Sequence, residues 1–243
     1  MKTKILLERF YSTDNDYEMC IDEAGRGCLL GRVYIASVIL PKQPEDFDGI
    51  DIKDSKKFSS KTKLKTVANY IKENALSYNI SYIDENTIDD INILKATIKG
   101  MHMCITDNIN NIKEICKEKK EKFSNKKIEA VIDGNYFKPY MYFDEEEQVL
   151  TQLPHSTIEK GDGKYMGIAA ASILAKDARD TYIQELCETY PVLSEWYKLD
   201  KNMGYGTKHH MEGIDKYGIT RWHRKTYSCC TNKKINFIEG KSI

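Results

Sequence analysis

Residues Glu18–Leu40 read EMCIDEAGRGCLLGRVYIASVIL, an apolar run that ends on two adjacent acids, Asp22 and Glu23, directly before Gly25-Arg26-Gly27. Neighbouring residues of a strand point to opposite faces. A purely structural acid pair would therefore leave a carboxylate half buried with no counter-charge, which is costly. A cation at the strand end removes that cost. Glu18–Asp22 and Arg32–Leu40 read as two strands joined by the glycine-containing turn, a hairpin.

Outward from this hairpin the chain alternates between periods. KQPEDFDGIDIKDSKKFSSKTK is a polar, turn-rich surface loop leading into a helix near Ser60–Asn74, with Ser59 or Ser60 as its cap. Leu76–Asp84, LSYNISYID, alternates as a third strand. Ile91, Leu94, Ile98, Met101 and Ile105 carry helical spacing through Asp89–Asn110, and the helix runs on to Lys117. EICKEKKEKFSNKK reads as its solvated end and a loop, IEAVIDG as a fourth strand ending in Asp133-Gly134, and FDEEEQVL as an exposed acidic loop. After Asp162, KYMGIAAASILAKDARDTYIQEL is a long helix whose Gly167, Ala169, Ala170, Ala171 and Ser172 permit close backbone packing. The tail from Tyr190 is aromatic and basic, and there are no repeats. A hairpin followed by mixed strands and helices predicts an α/β layer fold with a helical C-terminal part.

Composition narrows the class. The 243 residues suffice for one substantial core with a small appended lobe. No apolar run approaches the roughly 20 residues that span a bilayer, and Glu8 and Arg9 interrupt the start before a signal-like core develops. The expectation is a cytoplasmic protein, or a nuclear one in a eukaryote, and not a secreted one. Seven cysteines, at 20, 28, 104, 116, 187, 229 and 230, form no CxxC pair, so they read as reduced thiols rather than a zinc site. Thirty-seven basic residues balance thirty-seven acidic ones. That argues against a uniformly basic nucleic-acid binder but allows a basic patch beside an acidic metal site.

Four acids share one local grammar. Asp22 and Glu23 end a strand before a glycine turn, Asp133 ends one before Gly134, and Asp162 lies between Gly161 and Gly163 at the start of the long helix. Taken singly, Asp133 and Asp162 read first as turn and capping residues. Together the four can converge on one sheet edge as an oxygen-rich set suited to Mg²⁺ or Mn²⁺ rather than zinc. Gly25, Gly27 and Gly31 imitate a dinucleotide fingerprint, but their spacing is one residue too long and a strand follows them instead of a helix. Arg26 between its glycines, Lys56 and Lys57 in DSKK, and a tail with NMGYGTKHH and GITRWHRK supply phosphate and stacking groups. The tail's histidines and arginines read equally as solvated surface. The combination points to metal-assisted cleavage of a nucleic acid.

IDEAGRG, DSKK, NILKAT, VIDG, KGD with AAASILAKDARD, GYGTKHH and YGITRWHRK occur in the order of type 2 ribonuclease H (ribonuclease HII), which the chain resembles from Asp22 to Arg224. The resemblance implies a ribonuclease H-like α/β fold, a mixed sheet flanked by helices, with a helical C-terminal extension. It implies a catalytic domain over 1–185 and an extension over 186–243 that contributes to substrate binding. It implies endonucleolytic hydrolysis of RNA in RNA–DNA hybrids, and cutting 5′ of single ribonucleotides embedded in duplex DNA. Asp22, Glu23, Asp133 and Asp162 correspond to the family's catalytic carboxylates holding two Mg²⁺ or Mn²⁺ ions. Gly25, Arg26 and Gly27 correspond to the turn that senses the 2′-hydroxyl, Tyr205 to the tyrosine stacking at the junction sugar, and Lys56 or Lys57 to a phosphate-binding lysine. The chain departs from the family at Cys28 and Arg32, where prolines are usual, and at Phe58 for leucine.

Two other readings compete: a catalytically silent nucleic-acid-binding relative, and another ribonuclease H-like nuclease such as a junction resolvase or an exonuclease. The four acids speak against the first, and the GRG turn with Tyr205 against the second. Asp177 and Asp180 are rival fourth ligands. A straight helix places Asp177 about 22 Å from Asp162, so both cannot serve one site, and Asp180 is expected to pair with Arg179 or Arg221. The C-terminal INFIEGKSI carries Ile235, Phe237 and Ile238 without an aromatic pair, a weak basis for sliding-clamp binding, and the expected state is a monomer.

Overall fold

The structure is a computed structural model that describes residues 7–238. The chain forms two compact units that interleave along the sequence. The first comprises the residues through Glu23, Ile35–Ser81 and Gly100–Asp177; the second comprises Ala24–Tyr34, Tyr82–Lys99 and the chain from Ala178 onward.

The elements run in the order β1 (Tyr17–Ala24), β2 (Val33–Ile39), α1 (Lys61–Asn74), β3 (Ser77–Ile83), α2 (Glu85–Ile91), α3 (Ile93–Lys119), β4 (Ile128–Asp133), β5 (Met141–Asp144), β6 (Val149–Gln152), β7 (His155–Ile158), α4 (Met166–Thr189), α5 (Val192–Tyr197), α6 (Leu199–Asn202) and α7 (Lys208–Tyr217). A five-stranded sheet has the order β3-β2-β1-β4-β7. β1 pairs with β4 and β4 with β7 in parallel. β1 and β2 are neighbours separated only by residues 25–32. A parallel crossover needs about a dozen residues or more, so this pair is the expected antiparallel hairpin and the sheet is mixed.

The register positions the acids. Ile21 of β1 lies beside Ile132 of β4, so the next step sets Asp22 beside Asp133 at the strand spacing of about 4.8 Å. Asp133 in turn lies beside Ile158, the last residue of β7, which leads directly to Gly161-Asp162-Gly163 in a 3₁₀ turn. Helix α4 begins after that turn and packs on β1 at Gly167, where an added Cβ would overlap the side chain of Cys20. Ala169, Ala170 and Ala171 are fully buried beside it, the close packing that the small residues permit. Ser60 caps α1 by accepting from the amide of Lys63.

Three expectations need correction. FDEEEQVL is not a plain loop: β5 and β6 form an antiparallel hairpin with Phe143 beside Leu150. Its acids lie at the tip, where the Asp144 carboxylate accepts from the amides of Glu146 and Glu147. The helix through Asn110 is not continuous from Asp89. Asn92, at φ 67°, ends α2 and its side chain caps α3 through the amide of Lys95; asparagine tolerates that left-handed backbone better than most residues. Strand β7, HSTI, was not expected at all, being too short to show an alternation.

The second unit has its own core, in which Leu30, Ile183, Leu193, Tyr197, Ile214 and Trp222 meet. Trp196 and Tyr217 stack with centroids 4.8 Å apart.

Candidate active site

In the first unit the four acids form a charge-crowded group. Asp22 is 5% exposed. Burial, then the neighbouring carboxylates of Glu23 and Asp133, push its carboxyl well above the usual range, against hydrogen bonds from the Ser172 hydroxyl and the Glu23 amide. Asp133 accepts from the Gly161 amide at 2.6 Å. Burial raises its carboxyl too, and the Asp162 carboxylate adds to the rise. Gly161 is required for this approach, because a Cβ there would overlap Ile168 and crowd Asp133 Oδ1.

The DSKK loop folds over the same group. Asp54 accepts from the amide of Lys56 at 2.9 Å and holds Lys57 in an ion pair at 3.6 Å. Lys56 instead turns its ammonium to Asp162 Oδ2, 3.3 Å away. Partial burial works against that charge, but the carboxylates of Asp162, Asp54 and Asp22 together hold the ammonium above its ordinary value. The Ser55 and Ser172 hydroxyls hydrogen-bond at 3.0 Å, both buried. The Ser172 hydroxyl donates to the Asp22 carboxyl and so must accept from Ser55. Neither serine was expected to have this role; a lone hydroxyl inside AAASILA was the available signal.

The donor set fits a divalent ion in kind. All four groups are carboxylates, hard oxygen donors, and two have ionisation suppressed by burial and by the neighbouring carboxylates, a shortage of positive charge that a cation relieves. Among the described residues no three acid, histidine or cysteine groups are closed around a common point. The acids share a field and a register but do not form a finished cage. Asp177 pairs with Lys72 at 3.5 Å and Asp180 with Arg179 at 3.4 Å, so the two rival aspartates have structural partners.

In the second unit Gly25 sits at φ 90°, and a Cβ there would meet Arg179 Cδ at 2.6 Å. Arg26 and Gly27 are exposed, and nothing stands within 4 Å of where a Gly27 Cβ would project. Cys28 pairs as an isolated bridge with Tyr205, whose side chain is 47% exposed. The Arg179 guanidinium lies 5.2 Å from the Tyr205 ring centroid and donates to Cys28 Sγ at 2.9 Å. Arg32, the second departure, lies 4.0 Å from the Tyr82 ring and 4.5 Å from the Tyr182 ring.

Part of the tail is not solvated. His210 and His223 are both fully buried. His223 Nδ1 accepts from the Thr220 amide at 2.9 Å, which leaves its proton on Nε2. That proton points at His210 Nε2, 3.2 Å away, and His210 Nδ1 then donates to the Tyr205 carbonyl at 3.0 Å. Both imidazoles are therefore neutral. Burial lowers each, and His223, also facing His210, falls to about 3.

Solved structures identify the class. The ribonuclease HII of Archaeoglobus fulgidus, solved as a complex with PCNA, matches with a TM-score of 0.58 at 22% identity, over 87% of this chain and 95% of that one. The ribonuclease H2 of Pyrococcus horikoshii OT3 matches with a TM-score of 0.59 at 19% identity, over 88% and 95%. The fold is thus that of the type 2 ribonucleases H. At the level of sequence, the Ribonuclease HII family profile matches residues 19–230. The ribonuclease HII of Parabacteroides distasonis is 41% identical over 90% of this chain and 93% of its own length. That of Bacteroides thetaiotaomicron is 38% identical over 88% and 91%. The chain belongs to the ribonuclease HII family, and it is a hydrolase of the ribonuclease H class, an endonuclease.

Proposed function

We propose that the protein hydrolyses RNA in RNA–DNA hybrids and cuts 5′ of single ribonucleotides in duplex DNA, as a monomer, using two Mg²⁺ or Mn²⁺ ions held by Asp22, Glu23, Asp133 and Asp162. The observation that carries this reading is the register: it sets Asp22 beside Asp133, and Asp133 is bonded to the turn that bears Asp162. Bound there, the ions would acidify a water and stabilise the departing 3′-oxygen. Asp22 is held for the task by the Ser55–Ser172 hydroxyl chain, and Asp133 by the Gly161 amide. Lys56, whose ammonium lies against Asp162 within the acid group, is favoured as the phosphate-binding lysine over Lys57, tied to Asp54. Gly25, Arg26 and Gly27 select the ribose and Tyr205 stacks at the junction, so that residues 186–243 contribute to substrate binding. The 2′-hydroxyl is what distinguishes the target from its deoxy neighbours.

Ile235 and Phe237 are exposed, the latter at 93%, while residues 239–243 of INFIEGKSI lie outside the described residues. These two apolar side chains, with no aromatic pair beside them, are a weak basis for sliding-clamp binding. Among the described residues no helix is long and apolar enough to cross a membrane.

The test is a gel assay on duplex DNA carrying one ribonucleotide, with and without Mg²⁺ or Mn²⁺. Asp162→Asn is expected to lose 10²-fold or more in rate, a deficit of about 3 kcal/mol, while Asp177→Asn keeps most of it. Near-wild-type turnover by Asp162→Asn would remove that residue from the site.

A further inference from the structure

Arg224 is 0% exposed although it lies in a basic, aromatic tail. Its guanidinium is spent on backbone carbonyls of one short stretch. Nη2 donates to Gly25 O at 2.8 Å, Nη1 to Arg26 O at 2.8 Å, and Nε to Gly31 O at 3.0 Å. Tyr227 completes the arrangement: its hydroxyl donates to the same Arg26 carbonyl at 2.8 Å and accepts from Arg224 Nη1 at 2.9 Å. Asp89 fixes the segment between them, accepting from the amides of Lys225 and Thr226 at 2.9 Å each.

In a trans peptide the carbonyl and the following N–H point in opposite directions, and no peptide here is cis. Pinning the carbonyls of Gly25 and Arg26 on the Arg224 side therefore aims the amides of Arg26 and Gly27 to the other side. Both residues are exposed, and a Gly27 Cβ would meet nothing within 4 Å. Two successive amides presented on one side of a turn suit an oxygen acceptor.

We propose that Arg224 and Tyr227 are positioning residues for ribose selection: by holding the Gly25 and Arg26 carbonyls they set the direction in which the turn presents its amides to the 2′-hydroxyl. The inference rests on the reading that the Gly25–Gly27 turn does the selecting. Lysine cannot replace Arg224, since one ammonium cannot reproduce a planar fork that reaches three carbonyls. Tyr227→Phe is the gentler change, removing one hydroxyl from a half-buried ring.

The experiment measures binding of full-length protein, in EDTA to prevent turnover, to a fluorescent DNA duplex with one ribonucleotide and to its all-DNA twin. The ratio of the two affinities reports selection; a merely structural role would move both affinities and the melting temperature together. Tyr227→Phe is expected to shrink the ratio about five-fold, the worth of one hydrogen bond, with all-DNA binding and melting temperature near wild type. Arg224→Lys is expected to shrink it by roughly ten-fold or more. If Arg224→Lys does not fold, Tyr227→Phe decides alone. If Arg26→Ala loses the ratio while Tyr227→Phe and Arg224→Lys keep it, or lose both affinities equally, the positioning role is overturned and the reading of the turn stands. If Arg26→Ala, Tyr227→Phe and Arg224→Lys all keep the ratio, the turn does not select, and both fall.

Discussion

The acid group of the first unit and the glycine turn of the second stand in opposite electrostatic states. Asp22 and Asp133 are carboxylates pressed against other carboxylates, both displaced toward the protonated form. The carbonyls of Gly25 and Arg26 are saturated by a buried guanidinium. On the proposed reading, the acid group is left short of positive charge until an ion arrives, whereas the glycine turn is complete before any substrate does. If that reading holds, preorganisation is concentrated at the turn that must discriminate, and electrostatic tension at the acids that must attract the ions.

The sharpest way to break this comparison is Asp22→Asn. If the acids are mutually frustrated, the variant loses 10²-fold or more in cleavage yet melts at a higher temperature than wild type at pH 7 in EDTA, because a crowded buried charge is gone. A lower melting temperature in calorimetry would show that the group is not under tension. On the other side, Gly25→Ala forces a side chain into φ 90° and into Arg179. It should cost about 1–3 kcal/mol of stability and at least ten-fold in cleavage of a single-ribonucleotide duplex, read from urea melts and initial rates; a silent variant would deny the turn its rigidity.

The smallest effect concerns acid. His210 and His223 have folded values below the unfolded one of 6.5, so their stabilisation is complete above pH 6.5 and is lost as pH falls toward about 3. By pH 5 the loss is on the order of 2 kcal/mol. The raised carboxyls act with the opposite sign, since their protonated form is favoured in the fold and their cost fades as pH falls. Wild type therefore shows a blunted slope between pH 7 and 5, and Asp22→Asn a steeper one in urea melts at both pH values. Equal slopes would mean that the two regions do not offset each other.

Much of the acid site was legible because strand ends announce themselves: an apolar run, then Asp-Glu or Asp-Gly. Helical rise showed that Asp162 and Asp177 cannot both serve one site, and Asp162's place in KGD at the helix entry chose between them. What escaped was whatever depends on partners far along the chain. Arg224 contacts carbonyls 193 to 199 positions away, and nothing local separates it from a solvated arginine such as Arg221. The same holds for Ser172, whose hydroxyl among alanines looks like a packing residue until Ser55 meets it. The break at Asn92 and the strand HSTI were lost for a different reason: each is a few residues long, below the span over which a period can be counted.

Gly167 has a consequence for how far the acid site can drift. Its Cα rests against Cys20, with 3.0 Å between an imagined Cβ and the Cys20 Cβ, and Cys20 is two residues before Asp22. Ser172 follows on the same helix, about 7.5 Å further along its axis. One extra methyl at position 167 would lift the helix from β1 by a few tenths of an ångström or more, and the Ser172 hydroxyl would leave Asp22 with it. The dimensional tolerance of the buried Asp22 carboxylate is thereby fixed by a residue that has no side chain of its own.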